Sequence, residues 1–98
     1  MALAELHSIV VPIYNEEDVL RELHARLSSA LSELPAYEVI LVDDGSSDAT
    51  AAMLAEISAG DARWKCVSLA RNFGQQTAMT AGIDFARGDT VTVIDADL

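Results

Sequence analysis

The chain has 98 residues, with sixteen Asp+Glu against six Lys+Arg and a formal net charge of −10. A composition that is 51% hydrophobic and 22% charged belongs to one globular domain or part of one and excludes intrinsic disorder, while the scattered cations form no basic stripe for a nucleic acid. A single cysteine excludes an internal disulfide and a cysteine-based zinc site, and so acidic a chain needs a divalent cation to receive an anionic ligand.

The start of the chain, Met1 to His7, has neither the basic flank nor the apolar run of a signal peptide. No apolar stretch approaches the ~20 residues that span a bilayer. The first β-branched run, Ser8 to Ile13, predicts a strand. Asn15-Glu16-Glu17-Asp18 supplies a cap candidate and first-turn acids for a helix, in which Val19, Leu20, Leu23, Leu27 and Leu31 recur at helical spacing until Pro35. A second strand is predicted over Glu38 to Val42. Gly45-Ser46-Ser47-Asp48 then turns into a helix carrying Met53, Leu54 and Ile57 and stopping at Gly60. Trp64 to Leu69 predicts a third strand. A helix rich in small residues is expected over about Gln75 to Arg87, and a fourth strand over Thr90 to Ile94. This β-α-β-α-β-α-β alternation with short connections implies a parallel sheet with right-handed crossovers. The abrupt end at Asp95-Ala96-Asp97-Leu98, directly after an apolar run, reads as the end of a fragment.

Ligands of such sheets bind beyond the carboxyl ends of the strands. The segments that follow the four strands hold eight of the sixteen carboxylates, a charge cluster that calls for a metal or ligand. Asp95 and Asp97, spaced i and i+2 on an extended segment, point the same way and can share a hard cation; a solvated acidic strand end is the plain alternative. Asp43 or Asp44 can accept hydrogen bonds from ribose or a base, with Ser46, Ser47 and Asp48 left to cap the helix. Pro12 bends the first strand's end, and Tyr14 can stack on a nucleobase or simply lie over the sheet edge. Arg71, the one cation on this rim, can fork onto a phosphate or pair with a surface acid, and Gly74 can allow close backbone approach. His7, His24, Cys66, Met53, Met79 and Trp64 read as structural.

The sequence Ile9-Val10-Val11-Pro12-Ile13-Tyr14-Asn15-Glu16, followed by Val42-Asp43-Asp44-Gly45-Ser46-Ser47-Asp48, Arg71-Asn72-Phe73-Gly74, Gly88-Asp89 and Ile94-Asp95-Ala96-Asp97-Leu98, resembles the family 2 glycosyltransferases of GT-A fold. Ser68 to Gly74, with Ala78 and Ala81-Gly82 behind, is similar to the branch containing dolichyl-phosphate mannose synthase and bacterial polyprenyl-phosphate glycosyltransferases. The resemblance implies that residues 1–98 are the Rossmann-like nucleotide-binding part of a GT-A domain, with strand order 3-2-1-4. It implies a nucleotide-sugar donor of UDP-glucose or GDP-mannose type, a polyprenyl-phosphate acceptor at the cytoplasmic face of a membrane, and Mg²⁺ or Mn²⁺. By position, Pro12, Tyr14, Asn15 and Glu16 would line the base pocket, and Asp43 or Asp44 would contact base or ribose. Arg71, Asn72 and Gly74 would border the donor, Asp95 would face the ribose and metal, and Asp97 would bind the metal. Family members usually continue with a Gln that completes the metal site and then an acceptor-binding half carrying any catalytic base. No catalytic residue is therefore expected within this chain, which by itself is expected to be a soluble, cytoplasmic and inactive fragment. Its fourth strand, left as a sheet edge, is expected to drive self-association.

Two other readings fit less well. A phosphoacceptor receiver domain would also carry an acidic pair, but after its first strand, and would need a lysine downstream; Lys65 is the only lysine. A dinucleotide-binding half-domain would need Gly-x-Gly-x-x-Gly after the first strand, which is absent.

Overall fold

A computed structural model describes residues 5–96; Asp97, expected as a metal ligand, and Leu98 lie outside the described residues. Seven elements alternate in the order expected: β1 (His7–Ile13), α1 (Leu20–Leu31), β2 (Tyr37–Asp43), α2 (Thr50–Gly60), β3 (Trp64–Ser68), α3 (Gln75–Phe85) and β4 (Thr90–Val93). Every strand pairing is parallel and the sheet order is β3-β2-β1-β4, the Rossmann-like arrangement that the resemblance implied.

The two central strands are buried nearly end to end, so they read as continuous apolar runs and not as alternating ones. Alternate side chains nevertheless serve different layers. Ile9, Val11, Ile13, Val39 and Leu41 pack with Leu20, Leu23, Leu31, Leu54 and Trp64 on the α1/α2 side. Val10, Ile40 and Val42 pack against Ala78 of α3 on the other. The small buried residues of α3, Ala78 and Gly82, let this helix lie close to β1 and β2. His24 meets the buried Trp64 ring edge-on, with centroids 4.6 Å apart, which makes it a packing residue. Cys66 is half-buried, and burial pushes its thiol pKa up, as befits an unreactive side chain.

Two helix ends depart from expectation. No side chain from Asn15 to Asp18 caps α1; the N–H groups of Val19 and Leu20 both bond the Glu16 carbonyl at 3.1 Å. Helix α3 stops at Phe85, short of Arg87, because Ala86 is extended and the Arg87 N–H donates to Glu38 Oε2 at 2.7 Å. Glu38, only 2% exposed, also accepts from the Ser8 hydroxyl and from Lys65 Nζ, the latter at 2.7 Å. Ser8 Oγ in turn accepts the Gly88 N–H at 2.8 Å. This buried network ties the amino ends of β1, β2 and β3 to the α3–β4 turn. Burial pushes the Glu38 carboxyl up, but the Arg87 amide, the Lys65 ammonium and the Ser8 hydroxyl together hold it below the usual glutamate value.

Candidate functional site

The register brings the strand ends level. Ile13 pairs with Asp43 and Asp43 with Ser68, so the segments starting at Tyr14, Asp44 and Leu69 leave the sheet along one rim. β4 behaves differently: its pairing with β1 runs from His7–Thr90 to Val10–Val93 and stops. Pro12 explains the stop. The Val10 carbonyl accepts the Ile94 N–H at 3.0 Å, so even-numbered residues of β1 turn their backbone groups toward β4. At the next such position the proline has no N–H to offer, and the ladder cannot continue. Successive connections step from β1 outward to β3 and then cross back to β4 on the far side of β1. The parting of β1 and β4 is thus the topological switch point, where open α/β sheets bind ligands.

The loops on this rim brace one another. Asn15, at φ 50°, takes the left-handed conformation that asparagine tolerates. Its N–H donates to Ser46 Oγ at 3.0 Å, and its Oδ1 accepts the Ser47 N–H at 2.8 Å. The Glu16 N–H donates to Thr50 Oγ1 at 3.0 Å. The start of α2 is closed by carboxylates, as expected of Asp48 but not of its partner: Asp48 Oδ1 accepts the Thr50 N–H at 2.8 Å, and Glu17 Oε2 accepts the Ala49 N–H at 2.9 Å. Hydrogen bonds from Thr50 hold the Asp48 carboxyl below its ordinary pKa. Ser46 and Ser47 face Asn15 and do not cap the helix.

Asp43 and Asp44 are both buried. Asp43 Oδ1 accepts the Ser46 N–H at 3.0 Å, tightening the turn that follows β2. Asp44 reaches across to the β3–α3 loop. Its carboxylate accepts the Phe73 N–H at 2.8 Å, the Gly74 N–H at 3.1 Å and Asn72 Nδ2 at 3.2 Å. The close approach that allows this belongs to Gly45, at φ 73°, where a Cβ would collide with the Arg71–Asn72 backbone. Gly74, which the sequence suggested for that purpose, has open space around it; its φ of 103° is what demands glycine there, turning the chain into α3.

A cavity of about 230 Å³ opens at the switch point, lined by Pro12, Ile13, Tyr14, Glu16, Asp44, Gln75, Asp95 and Ala96. Of the residues singled out in the sequence, Pro12, Tyr14, Glu16, Asp44 and Asp95 meet there. Asn15 and Asp43 are engaged in bracing the loops beside it. Asn72 and Gly74 stand behind Asp44. Arg71 does not line the cavity; its guanidinium stacks on the Phe73 ring at 4.3 Å. Sequence reasoning missed Ile13, Ala96 and above all Gln75, whose Nε2 donates to Asp95 Oδ1 at 3.0 Å. The signal available for Gln75 was its place, the first helical residue after a rim loop.

Among the described residues no three His, Cys, Asp or Glu side chains gather into a metal cage. The donor chemistry still suits Mg²⁺ or Mn²⁺, which take one or two carboxylates together with phosphate oxygens. Asp95 lines the cavity, and among the described residues nothing donates to its Oδ2. Lys65, the residue a receiver domain would need beside its acidic pair, is instead bonded to Glu38 at the opposite end of the sheet, which removes that reading. No helix among the described residues is long and apolar enough to cross a membrane.

The chain is similar to known proteins over nearly its whole length. The chain is 47% identical over 93 residues to an uncharacterised glycosyltransferase, YkcC, of Bacillus subtilis, covering 94% of this chain and 29% of that relative. It is 50% identical over 93 residues to the undecaprenyl-phosphate 4-deoxy-4-formamido-L-arabinose transferase of Pseudomonas fluorescens, covering 93% of this chain and 27% of the relative. The chain therefore spans less than a third of the length of these relatives. Among solved structures, a mannosyltransferase from Pyrobaculum calidifontis, in complex with GDP-Man and Mn²⁺, superposes with a TM-score of 0.84 at 23% identity over 97% of this chain and 28% of that one, a likeness of fold. Staphylococcus aureus TarS in complex with UDP-GlcNAc superposes with a TM-score of 0.79 at 31% identity over 93% of this chain and 26% of that one. The profile of glycosyl transferase family 2 matches residues 8–98, and the chain belongs to that family.

Proposed function

We propose that residues 1–98 form the nucleotide-sugar side of a glycosyltransferase that passes a sugar from a UDP or GDP donor to a polyprenyl phosphate, with Mg²⁺ or Mn²⁺ at the diphosphate. The observation that carries this reading is the cavity at the β1/β4 switch point, where an exposed aromatic and three carboxylates converge. Tyr14, 46% exposed at the lip, offers a face on which a base can stack. Glu16 and Asp44 offer acceptors for base or ribose N–H and O–H groups. Asp44 has about four lone-pair sites and spends three on the β3–α3 loop, which leaves one for a ligand. Asn15 and Asp43 brace the loops beside this pocket and Asn72 and Gly74 hold Asp44, while Arg71 lies outside its lining. Asp95 Oδ2, to which nothing donates among the described residues, would hold the cation together with Asp97; the cation would stabilise the leaving diphosphate as the anomeric bond breaks.

The likeness to an undecaprenyl-phosphate sugar transferase supports a polyprenyl-phosphate acceptor for the complete protein; that it works at the cytoplasmic face of a membrane is part of the proposal. Transfer is proposed for the complete protein, and the 98-residue chain is expected to bind donor without passing the sugar on. Amide and side-chain NMR shifts on adding UDP or GDP with Mg²⁺ test the site. They should concentrate at Tyr14, Glu16, Asp44, Gln75, Asp95 and Ala96. Shifts confined to α1 and α2 would refute it.

A further inference from the structure

Gln75 is the polar residue of the cavity lining to which the donor-site reading gives no role. It opens α3, lines the cavity, and donates from Nε2 to Asp95 Oδ1 at 3.0 Å. Among the described residues no other side chain bonds the Asp95 carboxylate, although its chain neighbours Ile94 and Ala96 pack on the core. Asp95 follows an edge strand whose four residues are all exposed, beyond the point where β1 and β4 stop pairing. Gln75 stands on a firmer frame. The loop before it is held by three hydrogen bonds to the buried Asp44 carboxylate, Gly45 lies against its backbone, and α3 behind it packs on the sheet through Ala78 and Gly82. A carboxylate only accepts, so the Gln75 amide must turn its NH₂ to Asp95, and the amide orientation is set.

We infer that Gln75 is a positioning residue. It holds Asp95 by one oxygen so that the other, Oδ2, faces the ribose or cation of a bound nucleoside diphosphate, and Asp44 anchors the loop from which Gln75 reaches. This rests on the donor-site reading above. A neutral amide suits this role, because a lysine would compete with a cation for Asp95 and a glutamate would add a carboxylate beside Glu16, Asp44 and Asp95. Holding the carboxylate in place beforehand removes an ordering cost from binding.

The test is a double-mutant cycle on the 98-residue chain, read by calorimetry with UDP and with GDP at saturating Mg²⁺. Gln75→Ala should weaken nucleotide binding about three- to tenfold when Asp95 is present and add nothing in an Asp95→Ala background. A loop-folding role would lower affinity in both backgrounds alike. Gln75 is exposed, so the melting temperature should stay at the parent value. A second readout needs no nucleotide: the Gln75 side-chain amide resonances should move on Asp95→Ala. Unchanged affinity in Gln75→Ala, equal losses in the two backgrounds, or amide resonances indifferent to Asp95 would overturn the inference while leaving the donor-site reading standing. Failure of the unsubstituted chain to bind either nucleotide would overturn that reading and the inference with it.

Discussion

At the level of single residues, the side chains nearest the proposed ligand divide into those that face it and those that hold its surroundings still. Asp44 does both, while Asn15 spends its polar atoms on a neighbouring loop and Asp43 Oδ1 tightens its own turn. A motif such as Asp43-Asp44-Gly45-Ser46-Ser47 shows that something is built at a strand end, but not which oxygen is already taken. For Asp44, Ser46 and Ser47 that depends on partners 28 to 32 positions away in the chain. The two glycines illustrate the same limit. Gly74 looked like the residue of close approach, yet Gly45 has that role, since only the folded chain brings Arg71 against it. Gly45→Ala should therefore destabilise the chain on the order of 2 kcal/mol, from strain at positive φ and displacement of the Arg71–Asn72 backbone. Urea denaturation measures this, and a loss no greater than at an exposed helical site would show that the loops do not press together. Glu38 gives a pH signature. Its folded pKa lies below the ordinary 4.5, so its stabilisation is complete above that value and is lost as pH falls through the lowered folded value. Urea midpoints followed from about pH 6 to about pH 3 should fall more steeply for the parent chain than for Glu38→Gln.

At the level of elements, β-branched runs, helical spacing and a small-residue pattern made all seven legible, because these are local properties. Several ends were legible too, Gly60 and Gln75 among them, but others are set by distant groups. Helix α3 ends where Glu38 claims the Arg87 N–H, and the β1–β4 ladder ends where Pro12 offers none. β4 also carries a liability. The N–H groups of Thr90 and Ile94 point to β1, so the backbone groups of Val91 and Val93 face outward along an exposed strand with no proline or lysine in it. Val91 and Val93 are exposed apolar side chains as well. Such an edge pairs with copies of itself unless charge prevents it. The net charge of −10 opposes contact at low salt, and screening beyond ~8–10 Å at physiological ionic strength removes most of that opposition. The chain should therefore associate at micromolar concentration, more tightly as salt rises, and Thr92→Lys should shift it toward monomer. Size exclusion with light scattering decides; a salt-independent monomer would mean that the edge is protected.

For the molecule as a whole, the acidic rim and the parallel α/β sheet were both visible in the sequence, the one as clustered carboxylates and the other as alternating elements. What the sequence could not display is their relation: one strand parts from its neighbour, and the gap between them receives Tyr14, Glu16, Asp44, Gln75 and Asp95. Three carboxylates facing one cavity repel a diphosphate unless a cation intervenes. The central claim is thus a metal-dependent nucleoside-diphosphate site, and calorimetric titration of the chain with UDP and with GDP, in Mn²⁺ or Mg²⁺ and again in excess chelator, tests it most directly. The account predicts binding that weakens at least about tenfold when the metal is withdrawn, with Asp95→Ala weakening the metal-supported binding. Equal affinity with and without chelator, unaffected by Asp95→Ala, would contradict it.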